Sequence, residues 1–223
     1  MSPVPQIVFA FLAVSGAAHG LDLSQLGSLR ASAGQAVSGY LEVPALGDGG
    51  ARIPVSLVRG SGDGPVLALI AGTHGYEYPG ITALQRLRQS IDPRTLRGTL
   101  ILVHIANPPS FYGRTIYTSP ADGKNLNRVF PGRPDGTLSE RIAHEITTQV
   151  IAHADFLVDL HAGDGNEALR PYAYMPVTGD ARLDAATRGM ALAFGLDHIV
   201  IETGRIVPAE ATKFVDQTAL ARG

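Results

Sequence analysis

Three long apolar runs dominate the hydrophobic pattern of the chain: VLALIAG at 66–72, TLILVHIAN at 99–107 and DFLVDLHAG at 155–163. None of them alternates between apolar and polar residues as a half-exposed strand does, so each predicts a strand buried on both faces. Such strands are typical of parallel or mostly parallel sheets covered by helices.

Segments with helical spacing lie between and after these strands. Residues 79–90 place their leucines and isoleucine on one helical face, and residues 139–154 predict a second helix with Ser139 as its N-cap. Residues 180–195 predict a third helix that ends at Gly195. The alternation of strands and helices predicts a three-layer α/β/α fold with a mostly parallel central sheet.

The region before the first long strand has a different pattern. Residues 21–58 contain short β-prone pieces broken by the GDGG turn at 47–50, which predicts a small β-hairpin ahead of the main fold. Residues 108–137 form a long stretch rich in proline and glycine. A connection of this length is usually functional.

Composition narrows the class of protein. With 223 residues, 45% of them hydrophobic and 17% charged, the chain is long enough for one globular domain with its own core. The net charge of -2 gives no basic footprint for nucleic acid. Cysteine is absent, which excludes disulfides and thiolate metal sites.

The two ends of the chain carry further expectations. The first twenty residues have an apolar block, Ile7 to Ala13, followed by small residues but preceded by no Lys or Arg. We expect residues 1–20 to be a signal peptide, with a buried N-terminal strand or helix as the alternative. The mature domain, 21–223, would then be periplasmic or secreted, with no membrane association. Residues 209–222 predict a helix, and because such a helix normally leads to another strand, we expect the C-terminal part of the domain to be missing.

Metal-binding residue types stand where two of the strands end. His74 and Glu77 follow the first strand, and His161 lies in the DLHAG stretch at the end of the third. Two imidazoles and a carboxylate are ligands that Zn²⁺ takes in hydrolytic sites, where a fourth position stays open for water. Taken singly, His74 could cap a glycine-rich turn and His161 could be a core residue. Ligands gather at the carboxyl ends of strands in sheets of this kind, where Asn107 also lies.

Other polar residues are candidates for supporting roles. Asp159 shares a strand face with His161 and could orient its imidazole, or it could serve as a cap. In KNLNRVFPG, the planar guanidinium of Arg128 could bind a substrate carboxylate and Asn127 could donate an amide N–H. Alternatively, both side chains could hydrogen-bond backbone carbonyls within the loop. Arg114 is a further candidate for binding an anionic substrate.

Four motifs in this order, AGTHGYEYPG, NPPSF, SPADGKNLNRVFPG and LVDLHAG, resemble the succinylglutamate desuccinylase/aspartoacylase family of the zinc-carboxypeptidase superfamily. The resemblance implies a zinc-carboxypeptidase-like fold with a mixed sheet, and one Zn²⁺ per chain held by His74, Glu77 and His161. It also implies that Asn127 and Arg128 hold the substrate carboxylate. Members of the family hydrolyse the amide bond of N-acylated amino acids.

The chain departs from the family pattern in two places. Many members have an additional arginine eight residues before the arginine of the Asn-Arg pair, where this chain has Pro120, so Arg114 is only a loose substitute. The resemblance also places the general-base glutamate on a strand beyond Gly223. Glu202, the nearest upstream carboxylate on a strand-like run, is not matched to that base and is expected to be an edge-strand or ion-paired residue.

Together with the ligand pattern, the resemblance implies a zinc-dependent hydrolase that releases a carboxylate and a free amino acid from a small N-acyl amino acid. Two alternatives remain open: a secreted zinc metallocarboxypeptidase acting on peptides, and a non-catalytic zinc-binding fragment that lacks the general base. The acyl group, the amino acid and the oligomeric state are not specified by the sequence.

Overall fold

A computed structural model describes residues 24–203 and 207–222, together with the backbone of residues 9–14. The strands are β1 (Phe9–Val14), β2 (Gln25–Leu26), β3 (Leu29–Arg30), β4 (Gln35–Val43), β5 (Ala51–Arg59), β6 (Gly62–Ala71), β7 (Arg97–Val103), β8 (Phe156–His161), β9 (Tyr172–Val177) and β10 (Ile199–Thr203). The α-helices are α1 (Tyr78–Ser90), α2 (Pro108–Gly113), α3 (Leu138–Gln149), α4 (Ala181–Phe194) and α5 (Val215–Leu220).

Eight strands form one mixed sheet in the order β10-β9-β1-β8-β6-β7-β5-β4. The three long apolar runs form its centre, where β6 pairs in parallel with β7 on one side and β8 on the other. Strands β4 and β5 form the predicted hairpin, which extends the sheet antiparallel to β7 instead of standing apart from it. Strand β1 is antiparallel to β8, so β9 and β10, which are parallel to β1 and to each other, run opposite to the centre.

The central strand β6 shows how sequence produces the layers. Alternate side chains point to opposite faces of a strand, so a continuously apolar strand must be covered on both sides. Val66, Ala68 and Ile70 pack in a core cluster that includes residues of α3 and α5, whereas Leu69 and Ala71 pack in a second cluster with residues of α1 and α4. The predicted three-layer α/β/α architecture is therefore confirmed.

The start of α3 differs from the prediction. Thr137 is the N-cap and forms a capping box with Glu140, whose carboxylate accepts a hydrogen bond from the Thr137 backbone N–H at 2.8 Å. Ser139, predicted as the cap, lies inside the first turn. Its hydroxyl donates instead to Asp122 at 2.8 Å, a partner in the preceding loop that helix propensity does not reveal.

Several element bounds also differ. Strand β7 ends at Val103, four residues before the predicted end, and the long segment 108–137 contains α2 and a 3₁₀ turn at Leu126–Arg128. The helix predicted over 209–222 is split into a 3₁₀ turn at Ala209–Ala211 and the short α5. Helix α4 matches its prediction, with Gly195 at φ 77° as its C-cap.

The predicted signal peptide falls mostly outside the described residues. Of residues 1–20, only the backbone of Phe9–Val14 is described, and it forms β1 between β8 and β9. Cleavage and export stay predictions. Within the described part of the chain, none of the helices has both the length and the apolar character of a bilayer span.

Candidate metal centre and its cavity

Two neighbouring strands bring the candidate ligands together. Strands β6 and β8 are parallel, with Ile70 opposite Asp159 and Ala71 opposite Leu160, so their carboxyl ends reach the same edge of the sheet. His161 is the last residue of β8, and the chain after β6 turns into α1 through the segment that holds His74 and Glu77. The strand pattern and the metal-binding residue types each predicted a site at this edge of the sheet.

The turn that carries His74 and Glu77 requires glycine. Gly72 adopts φ 70°, a left-handed conformation in which a side chain is strained. At Gly75, a Cβ atom would collide with the carbonyl oxygens of Ser110 and Thr115, so the backbone approaches the α2 segment too closely for any other residue. The turn is thereby held against the start of the long loop.

The three predicted metal-binding side chains converge. Nδ1 of His74 lies 2.8 Å from Oε1 of Glu77, and Nδ1 of His161 lies 2.8 Å from Oε2 of the same carboxylate. One potential ligand atom from each of the three residues lies within 4.8 Å of the others, and all three residues are buried. The carboxylate thus joins two imidazoles that are 87 residues apart in the sequence (161 − 74).

Each imidazole has a second partner that fixes its ring. Nε2 of His74 lies 3.2 Å from the side-chain oxygen of Asn125, and Nε2 of His161 lies 2.9 Å from Oδ2 of Asp159. These oxygen acceptors favour a proton on each Nε2, so that with a cation bound the Nδ1 lone pairs would face the common centre. Asp159 therefore has the orienting position predicted for it, and Asn125 is a counterpart that sequence reasoning missed.

The electrostatics of the cluster are those of a site built for positive charge. Burial opposes ionisation of Glu77, but the charges and hydrogen bonds of His161 and His74 outweigh it and lower the pKa of this carboxyl to about 2. Burial likewise opposes protonation of His161, yet the carboxylates of Asp159 and Glu77 raise the pKa of its imidazole well above the usual value. A cation in this cluster is stabilised by two buried carboxylates.

The donor set fits a divalent transition metal. Two oriented imidazoles and one carboxylate are a ligand set found in catalytic zinc sites. Ca²⁺ and Mg²⁺ instead take shells made of oxygen ligands, which two imidazole nitrogens do not fit. His74, Glu77 and His161 could hold such an ion, with Asp159 and Asn125 in the supporting positions.

A cavity of about 510 Å³ opens beside this cluster. That volume suits a small metabolite. Its walls come from the turn after β6, the long loop, the segment after β8, and the strands β9 and β10. The residues lining it are His74, Glu77, Tyr117, Asn127, Arg128, His161, Ala162, Asp164, Glu167, Leu169, Tyr172, Tyr174, Glu202 and Phe214.

The predicted Asn-Arg pair lies in this wall. Arg128 is exposed to the cavity, its guanidinium stacks on the ring of Phe214 at 4.5 Å, and its Nη1 donates to the carbonyl oxygen of Asn127 at 2.7 Å. Asn127 is buried, and its side-chain nitrogen lies 3.4 Å from Nε2 of His161. Because Asp159 is closer to that same nitrogen, the Asn127 amide is a weaker neighbour of His161 than the carboxylate is.

Other candidates lie elsewhere. Arg114 is exposed, has a left-handed backbone at the C-cap of α2 and is not among the residues lining the cavity, so its predicted substrate contact is not supported by its position. Lys124 forms an ion pair with Glu140 at 3.0 Å. Asn107 is buried and caps α2, while its amide donates to the carbonyl of Thr73 at 3.3 Å.

Several residues of the cavity wall were not anticipated. Asp164, Tyr117 and the pair Tyr172 and Tyr174 lie there, and so does Glu202, which is on the edge strand as expected but also faces the cavity. Asp164 follows His161 by only three residues in a glycine-rich turn, a position that could have been noticed. Tyr172 and Tyr174 alternate along β9 and could not be predicted, because their location depends on the position of β9 in the sheet, next to β1.

Comparisons with known proteins identify relatives of this chain. A family model described as "Succinylglutamate desuccinylase/Aspartoacylase catalytic domain" matches residues 63–219. The N-alpha-acetyl-L-2,4-diaminobutyric acid deacetylase of Halomonas elongata is 39% identical over 168 residues, which are 73% of this chain and 48% of that protein. The chain thus spans about half the length of this curated relative.

Solved structures show the same fold. An aspartoacylase family protein from Mesorhizobium loti superposes with a TM-score of 0.75 at 29% identity, covering 91% of this chain and 60% of that one. A succinylglutamate desuccinylase from Silicibacter superposes with a TM-score of 0.73 at 31% identity, covering 90% of this chain and 58% of the other. These matches confirm the predicted fold class.

Proposed function

This chain belongs to the succinylglutamate desuccinylase/aspartoacylase family, a family of deacylases, and from that premise we propose that it is a zinc-dependent hydrolase of small N-acylated amino acids. The bond cleaved is the amide between the acyl group and the amino nitrogen. The products are a carboxylate and a free amino acid.

One observation carries the proposal: the Nδ1 atoms of His74 and His161 meet the carboxylate of Glu77 in a buried cluster whose rings are fixed from outside. Three protein ligands leave a position for water or substrate, which is the arrangement of catalytic zinc sites, whereas structural sites are closed by a fourth side chain. The cluster also opens onto a cavity of suitable size for a small substrate.

His74, Glu77 and His161 would hold the zinc ion, which would supply a Lewis acid and a water molecule of lowered pKa when bound. The protein residues contribute orientation. Asp159 and Asn125 accept hydrogen bonds from the outer nitrogens of the two imidazoles, which keeps Nδ1 of each ring directed at the cluster.

Arg128 positions the substrate. Its stacking on Phe214 and its bond to the Asn127 carbonyl restrict the guanidinium, and the remaining N–H donors can form a bidentate pair with a carboxylate. The named substrate of the Halomonas relative, N-alpha-acetyl-L-2,4-diaminobutyric acid, is an acylated amino acid with such a carboxylate. This supports an acyl amino acid as the substrate.

The proton acceptor in the reaction is a separate part of the proposal. By family resemblance it is a glutamate beyond Gly223, so the activity proposed is that of the whole protein. The chain itself is proposed to bind the metal and the substrate carboxylate. A carboxylate base contributes on the order of 10²–10⁴-fold in rate.

Metal content tests the first half of the proposal. We expect the purified chain to bind one zinc per molecule by elemental analysis and to lose it when His74 is replaced by alanine. His198→Ala is the matched control, because His198 is exposed and lies outside the cavity. Equal zinc content in both variants would contradict the ligand assignment.

Hydrolysis tests the second half. We expect the whole protein to release free amino acid from N-acetyl amino acids, measured as primary amine, in a reaction that depends on zinc and is absent in the His74→Ala variant. Cleavage of dipeptides but not of acyl amino acids would favour a carboxypeptidase. Zinc binding without hydrolysis of either, in a form of the protein that extends beyond Gly223, would favour a non-catalytic zinc-binding protein.

We also propose that the protein is exported through a signal peptide at residues 1–20. The support is the apolar block from Ile7 to Ala13 and the small residues that follow it. N-terminal sequencing of the protein from the periplasm of an expressing cell should begin near residue 21. An intact N-terminus on cytoplasmic protein would contradict it.

A further inference from the structure

The cavity beside the metal cluster has an excess of negative charge. Four carboxylates line it, those of Glu77, Asp164, Glu167 and Glu202, whereas Arg128 is the one Lys or Arg side chain among the described lining residues. A divalent ion and Arg128 together offset three of those four charges. A bound acyl amino acid then adds the charge of its own carboxylate. The described lining, the ion and the substrate carboxylate together would then carry a net charge of −2, which one positive group on the substrate reduces to −1.

Asp164 is a buried carboxylate of this wall that the Tyr117 side chain already hydrogen-bonds, but one of its oxygens has no donor among the described residues. The residue is only 7% exposed, and its Oδ1 is buried with no hydrogen-bond partner among the residues that the structure describes. A buried polar atom is normally paired, and leaving a carboxylate oxygen without a donor is costly. Asp164 lines the cavity, so an ammonium group bound there would lie next to this carboxylate.

Two hydrogen bonds to Glu167 close the turn that carries Asp164. The Asp164 N–H donates to the Glu167 carboxylate at 3.1 Å, and the Glu167 N–H donates back to the Asp164 carbonyl at 3.0 Å. A Cβ atom at Gly163 would lie 2.7 Å from the Glu167 carbonyl oxygen, which shows how tightly the turn closes. These bonds hold the backbone of Asp164 in place, and they engage the Glu167 carboxylate in the turn itself.

Aromatic rings complete the surroundings. Tyr117, Tyr172 and Tyr174 line the same cavity, and the rings of Tyr172 and Tyr174 pack edge to face with centroids 5.1 Å apart. A carboxylate together with tyrosine faces is a combination that recognises ammonium groups, by charge pairing and by cation–π attraction. An acidic side chain would meet the same walls with repulsion.

We propose that Asp164 is a specificity-determining residue that binds an ammonium group on the side chain of the N-acyl amino acid. The proposal rests on the proposed function, since it assumes that Arg128 holds the carboxylate of the same substrate. It selects one substrate class within a family named for acidic substrates: acylated diamino acids, in preference to acylated neutral or acidic amino acids.

Ligand affinity tests the proposal and does not require turnover. The zinc-loaded chain is titrated by calorimetry with three probes of similar size: Nα-acetyl-L-2,4-diaminobutyrate, Nα-acetyl-L-2-aminobutyrate and Nα-acetyl-L-aspartate. If a probe is hydrolysed, KM replaces the dissociation constant. We expect the diamino probe to bind at least about tenfold more tightly than the neutral one, and the acidic probe to bind most weakly.

The variant Asp164→Asn identifies the residue responsible. It keeps the size of the side chain, and we expect it to reduce the preference for the diamino probe over the neutral probe to within about threefold, with little change for the neutral probe. Asp197→Asn is the matched control, because Asp197 is exposed, pairs with Arg170 and is not among the residues lining the cavity. It should keep the full preference.

The other outcomes are distinct. Equal affinity for the diamino and neutral probes in the unmodified chain, or a preference that survives Asp164→Asn, overturns the proposal. An equal loss for all three probes in Asp164→Asn also overturns it, because Asp164 would then act on the common part of the substrate. If no probe binds the zinc-loaded chain at all, the proposed function itself has failed.

Discussion

Replacing Asp159 tests whether metal affinity depends on the carboxylate that holds the ring of the proposed ligand His161. Asp159 is fully buried, and its Oδ2 lies 2.9 Å from Nε2 of His161, the distance of a charge-assisted hydrogen bond. In Asp159→Asn the shape is kept, and an amide oxygen can still accept from Nε2, but the charge is lost. In Asp159→Ala the acceptor and the packing are both removed.

The size of the expected loss of zinc affinity follows from the hydrogen bond that is removed. A hydrogen bond to a charged group contributes about 1.5–3 kcal/mol, and each 1.4 kcal/mol is about tenfold in affinity. Loss of an outer partner of a metal-binding histidine typically weakens metal affinity by about 10–100-fold. The energy of the hydrogen bond and the typical loss of metal affinity therefore correspond to similar fold-changes. Because a neutral hydrogen bond is roughly half as strong as a charged one, we expect about tenfold weaker zinc binding for Asp159→Asn and about 100-fold for Asp159→Ala.

Zinc affinity is measured by competition with a chromophoric chelator at neutral pH, on protein shown to be folded by circular dichroism. Asp155→Asn is the control: this carboxylate precedes the same strand and accepts the Val66 N–H at 2.7 Å, so its loss should lower stability and leave zinc affinity unchanged. Zinc affinity of Asp159→Asn within threefold of the unmodified chain would refute the orienting role. So would equal weakening in Asp155→Asn.

Three further predictions concern substrate binding and stability. Arg128→Lys should weaken binding of an N-acetyl amino acid by about tenfold in calorimetry, because one ammonium cannot replace a bidentate fork, and an unchanged affinity would contradict the assignment. Arg141→Met should lower the free energy of unfolding in urea by about 1–3 kcal/mol, since this buried guanidinium donates to the carbonyl oxygens of Pro44 and Gly136. Arg141 also donates to Asp48, and this pairing lowers the pKa of the carboxyl from 3.8 to about 2. The contribution of the pair is present above about pH 4 and is lost as the pH falls towards 2, so the stability difference between the two proteins should narrow in acid. Gly75→Ala should destabilise the protein by about 1–3 kcal/mol in the same assay. Gly189→Ala, in α4 with open space around it, should instead stabilise the protein by about 0.5–1 kcal/mol. Similar effects of the two substitutions would contradict the close approach at Gly75.

The sequence predicted the metal cluster because the cluster depends on local patterns. His74 and His161 each follow a long apolar run, and parallel strands place their carboxyl ends at one edge whatever the order of the outer strands. Asp159 could be placed by alternation along β8 alone. What the sequence could not predict is the opposite wall, because Tyr172 and Tyr174 reach the cavity only through the position of β9 in the sheet.

The N-cap of α3 shows the same limit at a smaller scale. Thr137 and Ser139 are both acceptable caps by residue type, and the sequence prediction chose the second. The choice was decided by Asp122, which accepts hydrogen bonds from both the N–H and the hydroxyl of Ser139 at 2.8 Å. A contact across the long loop cannot be predicted from helix propensity.

Asn127 shows that one side chain can serve both the fold and the site. Its side-chain oxygen accepts the backbone N–H of Val215 at 3.0 Å, which fixes the start of α5, and its nitrogen faces His161. Fixing α5 also places Phe214, the ring on which Arg128 stacks. With one lone pair of the oxygen engaged by Val215, the amide N–H groups of Asn127 remain available as donors to a substrate. Replacing Asn127 would therefore remove a possible substrate donor and disturb the position of the arginine as well.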